Sequence, residues 1–383
     1  MTKLFELMCP CHFGLEAVAK REIYDLGYEV TNVCDGRVYF SGDAEAIALA
    51  NLSLRTVERV LLCVGSFSAA TFDELFEGIK ALPWEEFIPE DGRFWVTKAS
   101  SVKSALFSTT DIQSIVKKAI VERLKGTYHL QHFPETGNDY PVRIMLLKDQ
   151  VVAALDTSGA SLHKRGYRPA SGQAPISETL AAALIALTPW KADRILVDPF
   201  CGSGTFLIEA AMMAKNIAPG LDRSFTCEDW EFIPGEIWRE LRSELRSQIA
   251  PEAQSDLQGY DIDPQVLRIA RENARRAGVL DTIHFQERDV SKLSHPKPYG
   301  FIITNPPYGQ RIGEAGELFA LYRTLGEAFA RLGDWSMYVI TAYEDAENAI
   351  GKKAAKNRKI YNGMLRSYYY QFPGARPKWN KKS

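Results

Sequence analysis

The sequence contains no run of 18 apolar residues, so no membrane-spanning helix is expected. Glu6 interrupts the short apolar stretch at the start, where a secretory leader would need an unbroken one, and a cytoplasmic address is expected. None of the six cysteines (9, 11, 34, 63, 201 and 227) forms a C-x-x-C pair, and a chain of 383 residues needs no disulfide staples. Cys9, Cys11 and His12 are close enough to raise a metal reading. No second pair of matching spacing supports it, and reduced thiols at the end of a first strand are the simpler account. Neither charge is in excess: 46 basic against 48 acidic side chains leave a net charge of −2, without the overall basic footprint of a nucleic-acid binder. No internal repeat is evident. Hydrophobic residues at 46% and charged residues at 25% are ordinary globular usage, which excludes a fibrous or mainly disordered chain.

One absence is local. After Glu347 the last 36 residues hold no acid and ten cations: Lys352, Lys353, Lys356, Arg358, Lys359, Arg366, Arg376, Lys378, Lys381 and Lys382. A solvated tail accounts for such a run, and so does a contact with a polyanion.

Residues 1–66 read as a small α+β block. Val30–Val33 and Val38–Phe40 flank Asp35-Gly36, a strong hairpin signal. Residues 67–160 read as a second α+β block. There Thr71-Phe-Asp-Glu74 looks like a capping box, and apolar residues at 112, 115, 116, 119, 120 and 124 predict an amphipathic helix over 111–124 with Lys117, Lys118, Arg123 and Lys125 on its polar face. From about 170, strands alternate with helices, which predicts a doubly wound, mostly parallel sheet. An acidic, Trp-bearing helical insertion over 215–255 interrupts the series.

Four motifs in this last part carry chemistry. Asp198-Pro-Phe-Cys-Gly-Ser-Gly-Thr205 lies between a strand and a helix, where glycines let backbone approach a ligand and the helix start favours an anionic group. It lacks the third glycine of a dinucleotide turn and the lysine of a phosphate loop. Asp261, in Gly259-Tyr-Asp-Ile-Asp263, ends the second strand and can accept from ribose hydroxyls. It lies 63 residues after Asp198, and 22 once the 215–255 insertion is set aside, near the usual spacing of roughly 20. Asp263, just before Pro264, also suits a helix N-cap. Asp289, after the third strand, suits an adenine amino group or a solvated loop. Finally, Asn305-Pro-Pro-Tyr308 follows the strand Phe301–Thr304. Two prolines fix the backbone and remove two N–H donors, so the loop displays acceptors, and Tyr308 adds a flat face. That set suits a planar –NH₂ substrate.

These motifs resemble the class I S-adenosylmethionine-dependent N-methyltransferases. Asn305-Pro-Pro-Tyr308 with Gly309 and Arg311 is similar to the ribosomal large-subunit (23S rRNA) guanine-N2 methyltransferases. Leu162-His-Lys-Arg-Gly-Tyr-Arg168, Ala174–Ala181 and Lys359-Ile-Tyr-Asn-Gly363 resemble further segments of that family. Lys103–Leu106 and Ile112–Lys118 resemble a THUMP RNA-binding domain, and the first block resembles the ferredoxin-like domain that precedes it. The long members of the family fuse a second methyltransferase domain, which this chain does not carry. The resemblance implies an α/β, Rossmann-like methyltransferase domain at 161–383, after a ferredoxin-like domain at 1–66 and a THUMP domain at 67–160. It implies S-adenosyl-L-methionine held by Asp198, Phe200, Gly202, Gly204, Thr205, Asp261, Ile262, Asp289 and Val290. Asn305, Pro306, Pro307 and Tyr308 would form the catalytic loop. Lys117, Lys118, Lys164, Arg165, Arg168 and Arg311 would contact RNA, expected to be 23S rRNA or an assembling large ribosomal subunit. No metal takes part.

The same loop logic fits methylation of another RNA amine, in tRNA or on adenine, or of a protein glutamine amide; the basic N-terminal module favours RNA. Carbon-5 pyrimidine chemistry needs a nucleophilic cysteine, and none follows Cys227.

Overall fold

The computed structural model describes residues 3–168, 176–308, 315–363 and 365–377. Its first half carries β1 (Phe5–Pro10), α1 (Glu16–Asp25), β2 (Val30–Cys34), β3 (Arg37–Gly42), α2 (Ala44–Ser53), β4 (Leu61–Ser68), α3 (Phe72–Ala81), β5 (Arg93–Val102), α4 (Thr109–Tyr128), β6 (Asp139–Leu147) and β7 (Gln150–Asp156). Its second half carries α5 (Glu178–Ala186), β8 (Leu196–Asp198), α6 (Thr205–Ala214), α7 (Gly235–Ser247), β9 (Leu257–Asp261), α8 (Pro264–Arg276), β10 (Ile283–Glu287), β11 (Phe301–Thr304), α9 (Ala315–Arg331), β12 (Ser336–Thr341), α10 (Ala346–Ile350), β13 (Lys356–Asn362) and β14 (Leu365–Phe372). Among the described residues no helix is long and apolar enough to cross a membrane.

The chain forms two compact units. The first comprises Met1–Cys11, Ala19–Leu162 and Arg223–Glu244; the second comprises His12–Val18, His163–Asp222 and Leu245–Ser383. The first holds one seven-stranded sheet, ordered β2-β3-β1-β4-β7-β6-β5. The boundary expected at 66/67 falls inside β4, which pairs with β1 on one side and β7 on the other, so the two α+β blocks share a sheet. Local rules act as the residues dictate. Gly36 adopts φ +72° in the β2–β3 turn, and Thr71 and Glu74 form the capping box of α3.

The boundary expected at 160/161 is crossed more than once, because the insertion contributes 223–244 to the first unit. Trp230 is buried there, stacked on Tyr140 at 5.2 Å, and its Nε1 donates to the Asp139 carbonyl at 2.9 Å. Aromatic burial of this size dominates local packing energy.

The second unit holds a seven-stranded sheet ordered β10-β9-β8-β11-β12-β14-β13. β8 to β12 pair in parallel; β14 runs antiparallel to β12, and β13 to β14. Side chains of β11 alternate between two cores: Phe301 and Ile303 join one with Leu180, Phe206 and Tyr369, while Ile302 joins the other with Tyr322, Leu325 and Trp335. Apolar residues on both faces are what a sheet covered on both sides requires. The strand order reverses between β8 and β11, and in such sheets the ligand crevice opens at the carboxyl ends of those strands.

Candidate active site

The site is built on the carboxyl ends of β8, β9, β11 and β12. β8 ends at Asp198, and the chain turns through Gly202 and Gly204 at φ +51° and +85° into α6. A Cβ on Gly204 would stand 3.2 Å from Phe285, whereas one on Gly202 would meet nothing within 4 Å. Gly202 is therefore glycine for its backbone conformation, and leaves a bare, open stretch of main chain. The Gly202 amide donates to Asp261 Oδ2 at 3.0 Å and the Cys201 amide to the Tyr260 carbonyl at 2.9 Å, which ties the turn to the end of β9.

Asp261 also accepts from the Asp263 amide, at 3.1 Å. Asp263 is the N-cap of α8 and accepts from the Gln265 amide at 2.8 Å, so the two acids have separate tasks. Ile262 lies between them with its side chain in the open, 68% exposed. Asp289 is exposed; the hydroxyl and amide of Ser291 hold its carboxyl below the ordinary range, and Val290 beside it is buried. Bare main chain, an exposed apolar side chain and two acceptor carboxylates therefore lie just past the carboxyl ends of β8, β9 and β10. Cys201 is buried and its thiol is pushed well above the ordinary value, so it is no nucleophile. Among the described residues no group of three His, Cys, Asp or Glu side chains could hold a metal ion.

Asp198 is buried, and accepts from the Thr304 hydroxyl at 2.6 Å and from the Phe200 amide at 3.1 Å. Burial pushes its carboxyl up to about 7, against the pull of those two bonds. Through this carboxyl the glycine turn after β8 is joined to the last residue of β11.

Next comes Asn305, half-buried, then buried Pro306, exposed Pro307 and half-buried Tyr308. The Tyr322 hydroxyl donates to the Pro307 carbonyl at 3.2 Å and lies 2.5 Å from Thr341 Oγ1, which itself accepts from the Tyr343 amide at 3.0 Å. The proton order is then fixed: Thr341 donates to Tyr322, and Tyr322 to Pro307. Burial raises the Tyr322 phenol further, so it stays a donor. The loop is held from behind by a buried chain of hydroxyls.

The cations expected to meet RNA divide. Lys118 and Lys164 are exposed. Three others are engaged by partners within the protein. Arg165 is buried, with an ion pair to buried Glu209 at 3.5 Å, and Tyr167 donates to the same carboxylate at 3.0 Å. Arg168 pairs through Nε with Glu178 at 2.8 Å, and its Nη1 donates to Thr205 Oγ1 at 3.3 Å, at the start of α6. Lys117 donates to the Phe94 carbonyl and lies 3.9 Å from the centroid of the Phe94 ring. Arg311, like Gly309, lies outside the described residues.

Sequence reasoning missed Thr304, Tyr322 and Thr341. Thr304 stands next to Asn305 and could have been flagged as a hydroxyl ending an apolar strand. Tyr322 gives no such signal, being one apolar position among many on α9.

Residues 165–371 match a family model described as an RMKL-like methyltransferase domain, 6–61 match the RlmL ferredoxin-like domain, and 69–156 match the THUMP domain. The chain is 48% identical over 372 residues, 97% of its length and 96% of the other's, to YpsC of Bacillus subtilis (strain 168), named as a proposed RNA methyltransferase. A solved structure of SMU.472, described as a proposed methyltransferase complexed with S-adenosylhomocysteine, is 43% identical with a TM-score of 0.92, covering 99% of this chain and 100% of that one. A Listeria monocytogenes (str. 4b F2365) structure, described by prediction as an N6-adenine-specific DNA methylase, is 46% identical with a TM-score of 0.91, covering 97% of each chain.

Proposed function

The chain belongs to the family of methyltransferases that join a ferredoxin-like domain, THUMP and an RMKL-like catalytic domain, and on that premise we propose that it methylates the exocyclic N2 amine of a guanine in 23S rRNA. It is an S-adenosylmethionine-dependent methyltransferase of an RNA-methylating family; the base, the atom and the RNA are the further step. Such a substrate also fits a cytoplasmic address.

The observation that carries the reading is the Asn305–Tyr308 loop, with two backbone donors removed by its prolines and braced by Tyr322, at the carboxyl end of β11 beside the glycine turn. S-adenosylmethionine supplies a methyl group on a positively charged sulfur. The open main chain at Gly202, ahead of buried Gly204, would take its methionine end, Asp261 its ribose, and Ile262 with Asp289 and Val290 its adenine; Asp198, Phe200 and Thr205 shape the turn.

A guanine amine is a poor nucleophile because its lone pair is delocalised into the ring. The Asn305 side-chain oxygen and the Pro306 carbonyl accept both N–H groups, which favours the pyramidal nitrogen of the transition state. Holding that nitrogen in line with the methyl group adds a proximity term, on the order of 7–11 kcal/mol in ideal cases. No strong base is needed before transfer: the methylated nitrogen is acidic and gives its proton to water. A paired guanine must leave its stack, at a cost of a few kcal/mol, and the Tyr308 face returns roughly 1–3 kcal/mol of that by stacking. Lys118 and Lys164 remain as surface contacts to RNA, and Arg311 keeps that role as a proposal.

The test is nucleoside mass spectrometry of ribosomal RNA from a deletion strain, with primer extension to locate the site. Loss of one N2-methylguanosine from 23S rRNA is the expected result. Loss of N6-methyladenosine instead would move the reading to an adenine amine in RNA, and intact rRNA with an altered tRNA would move the substrate.

A further inference from the structure

We propose that the β13–β14 hairpin is the docking edge for the RNA strand that carries the target base. This rests on the RNA reading above and adds a surface that reading does not use.

Register places the hairpin. β11 and β12 run in parallel, with Thr304 beside Val339, so Thr341 stands at the carboxyl end of the sheet. β14 returns antiparallel with Tyr368 opposite Thr341. Ser367, Arg366 and Leu365 therefore extend past that end, along with their β13 partners Ile360, Tyr361 and Asn362. The end of the hairpin where β13 passes into β14 is on the side of the sheet where Asn305 begins its loop. β13 is the outermost strand, three strands from β11, about 14 Å at the usual spacing of roughly 4.8 Å. A few nucleotides flanking a flipped base span that distance.

Chemistry fits the place. Lys359 is opposite Tyr368 and Tyr361 opposite Arg366, so two cations and two aromatic rings share one face. Lys359 Nζ lies 5.4 Å from the Tyr361 ring centroid, and the Arg366 guanidinium 5.4 Å from that of Tyr368. Lys356 is exposed lower on the same strand, preceded by exposed Lys352 and Lys353. Cations interleaved with aromatic faces are the usual surface for single-stranded nucleic acid. Two acids lie against this face: Glu347 near Tyr370, and Glu344, 2.6 Å from Arg366 with both side chains of that pair exposed. Such a pair is weak in water and open to exchange for a phosphate.

Lysines on an edge strand have a second use, since they prevent edge-to-edge aggregation. Charge reversal separates the two, because glutamate blocks an edge as well as lysine does but repels phosphate. The test uses the full chain, a 23S rRNA transcript and filter binding across a salt series, comparing wild type with Lys356→Glu/Lys359→Glu and with Lys356→Arg/Lys359→Arg. The reversed variant should bind the transcript at least tenfold more weakly. Its salt slope should be shallower by roughly 0.7 for each phosphate that is no longer neutralised. The arginine variant should bind as wild type, and all three should bind S-adenosylhomocysteine equally by calorimetry. A reversed variant that keeps wild-type RNA affinity and slope overturns the proposal. Wild type that binds no RNA would sink the RNA reading and this inference together.

Discussion

The Thr304 hydroxyl meets the Asp198 carboxylate over 2.6 Å, across the point where the strand order of the catalytic sheet reverses. One residue ends the strand before the Gly202–Gly204 turn; the other ends the strand before the Asn305–Tyr308 loop. Their bond makes the two loops a single framework, so a shift in either is felt by the other.

That bond has a pH signature. Asp198 holds its proton up to about 7 in the fold but only to the ordinary carboxylate value when unfolded. Its contribution is therefore greatest in acid and is lost as pH rises through about 7, by up to about 4 kcal/mol. Asp198→Asn should flatten this dependence. Urea denaturation of both proteins at pH 5 and pH 8 measures it, and an equal pH response would remove Asp198 as its source. A cationic methyl donor should favour the ionised carboxyl. S-adenosylmethionine affinity should then rise between pH 6 and pH 8 in the wild type and stay level in the variant.

On the proposed function, Tyr322 would act on the reaction through the loop it braces, without touching substrate. Tyr322→Phe removes the donor to the Pro307 carbonyl and leaves the Thr341 hydroxyl without its acceptor. Removing a bond of about 1.4 kcal/mol that holds the loop in its reactive position would lower kcat roughly tenfold. S-adenosylhomocysteine affinity should not change. Equal losses in kcat and in cofactor affinity would point to general loosening of the fold.

The alternation of apolar residues and the spacing of Gly, Pro and Asp made the catalytic sheet and its four motif loops readable in order, because these features are set by residues near each other in sequence. The Asp35-Gly36 hairpin and the Thr71 capping box were legible for the same reason. What escaped depends on distant residues. Nothing around Arg165 announces that Glu209 waits in α6 to bury it, so it read as a surface cation. The C-terminal hairpin also escaped: its cations suggested a tail, whereas Ile360, Tyr369 and Tyr370 bury enough apolar surface to pin two strands to the sheet.

The insertion shows the same limit. Its tryptophans were visible in the sequence, but nothing near them says what they pack against. Trp230→Ala removes the ring stacked on Tyr140 and the bond to the Asp139 carbonyl. Loss of a buried ring of this size costs about 3–5 kcal/mol. Amide hydrogen exchange should quicken in β6 while S-adenosylhomocysteine affinity holds. A 1–160 fragment, lacking Trp230, should be less stable than the same unit in the whole chain. Equal protection in the fragment would show that 223–244 adds nothing to that unit.

The chemical step gives the sharpest ordering. Asn305→Ala removes one acceptor for the target amine and leaves the glycine turn intact, so cofactor affinity should stay close to wild type. Methyl transfer should slow by about 10²–10³, as it does when one preorganised transition-state hydrogen bond is removed. Tyr308→Phe keeps the ring face and should retain most activity, whereas Tyr308→Ala should lose it along with the stacking platform. Thr304 and Tyr322 hold the loop through backbone and side-chain contacts outside these two positions, so the framework should survive all three substitutions. Single-turnover transfer to undermethylated rRNA separates the variants. A Tyr308→Phe enzyme as inactive as Tyr308→Ala would assign the role to the hydroxyl. The loop would then act on the amine through three polar groups, with no base stacked on Tyr308.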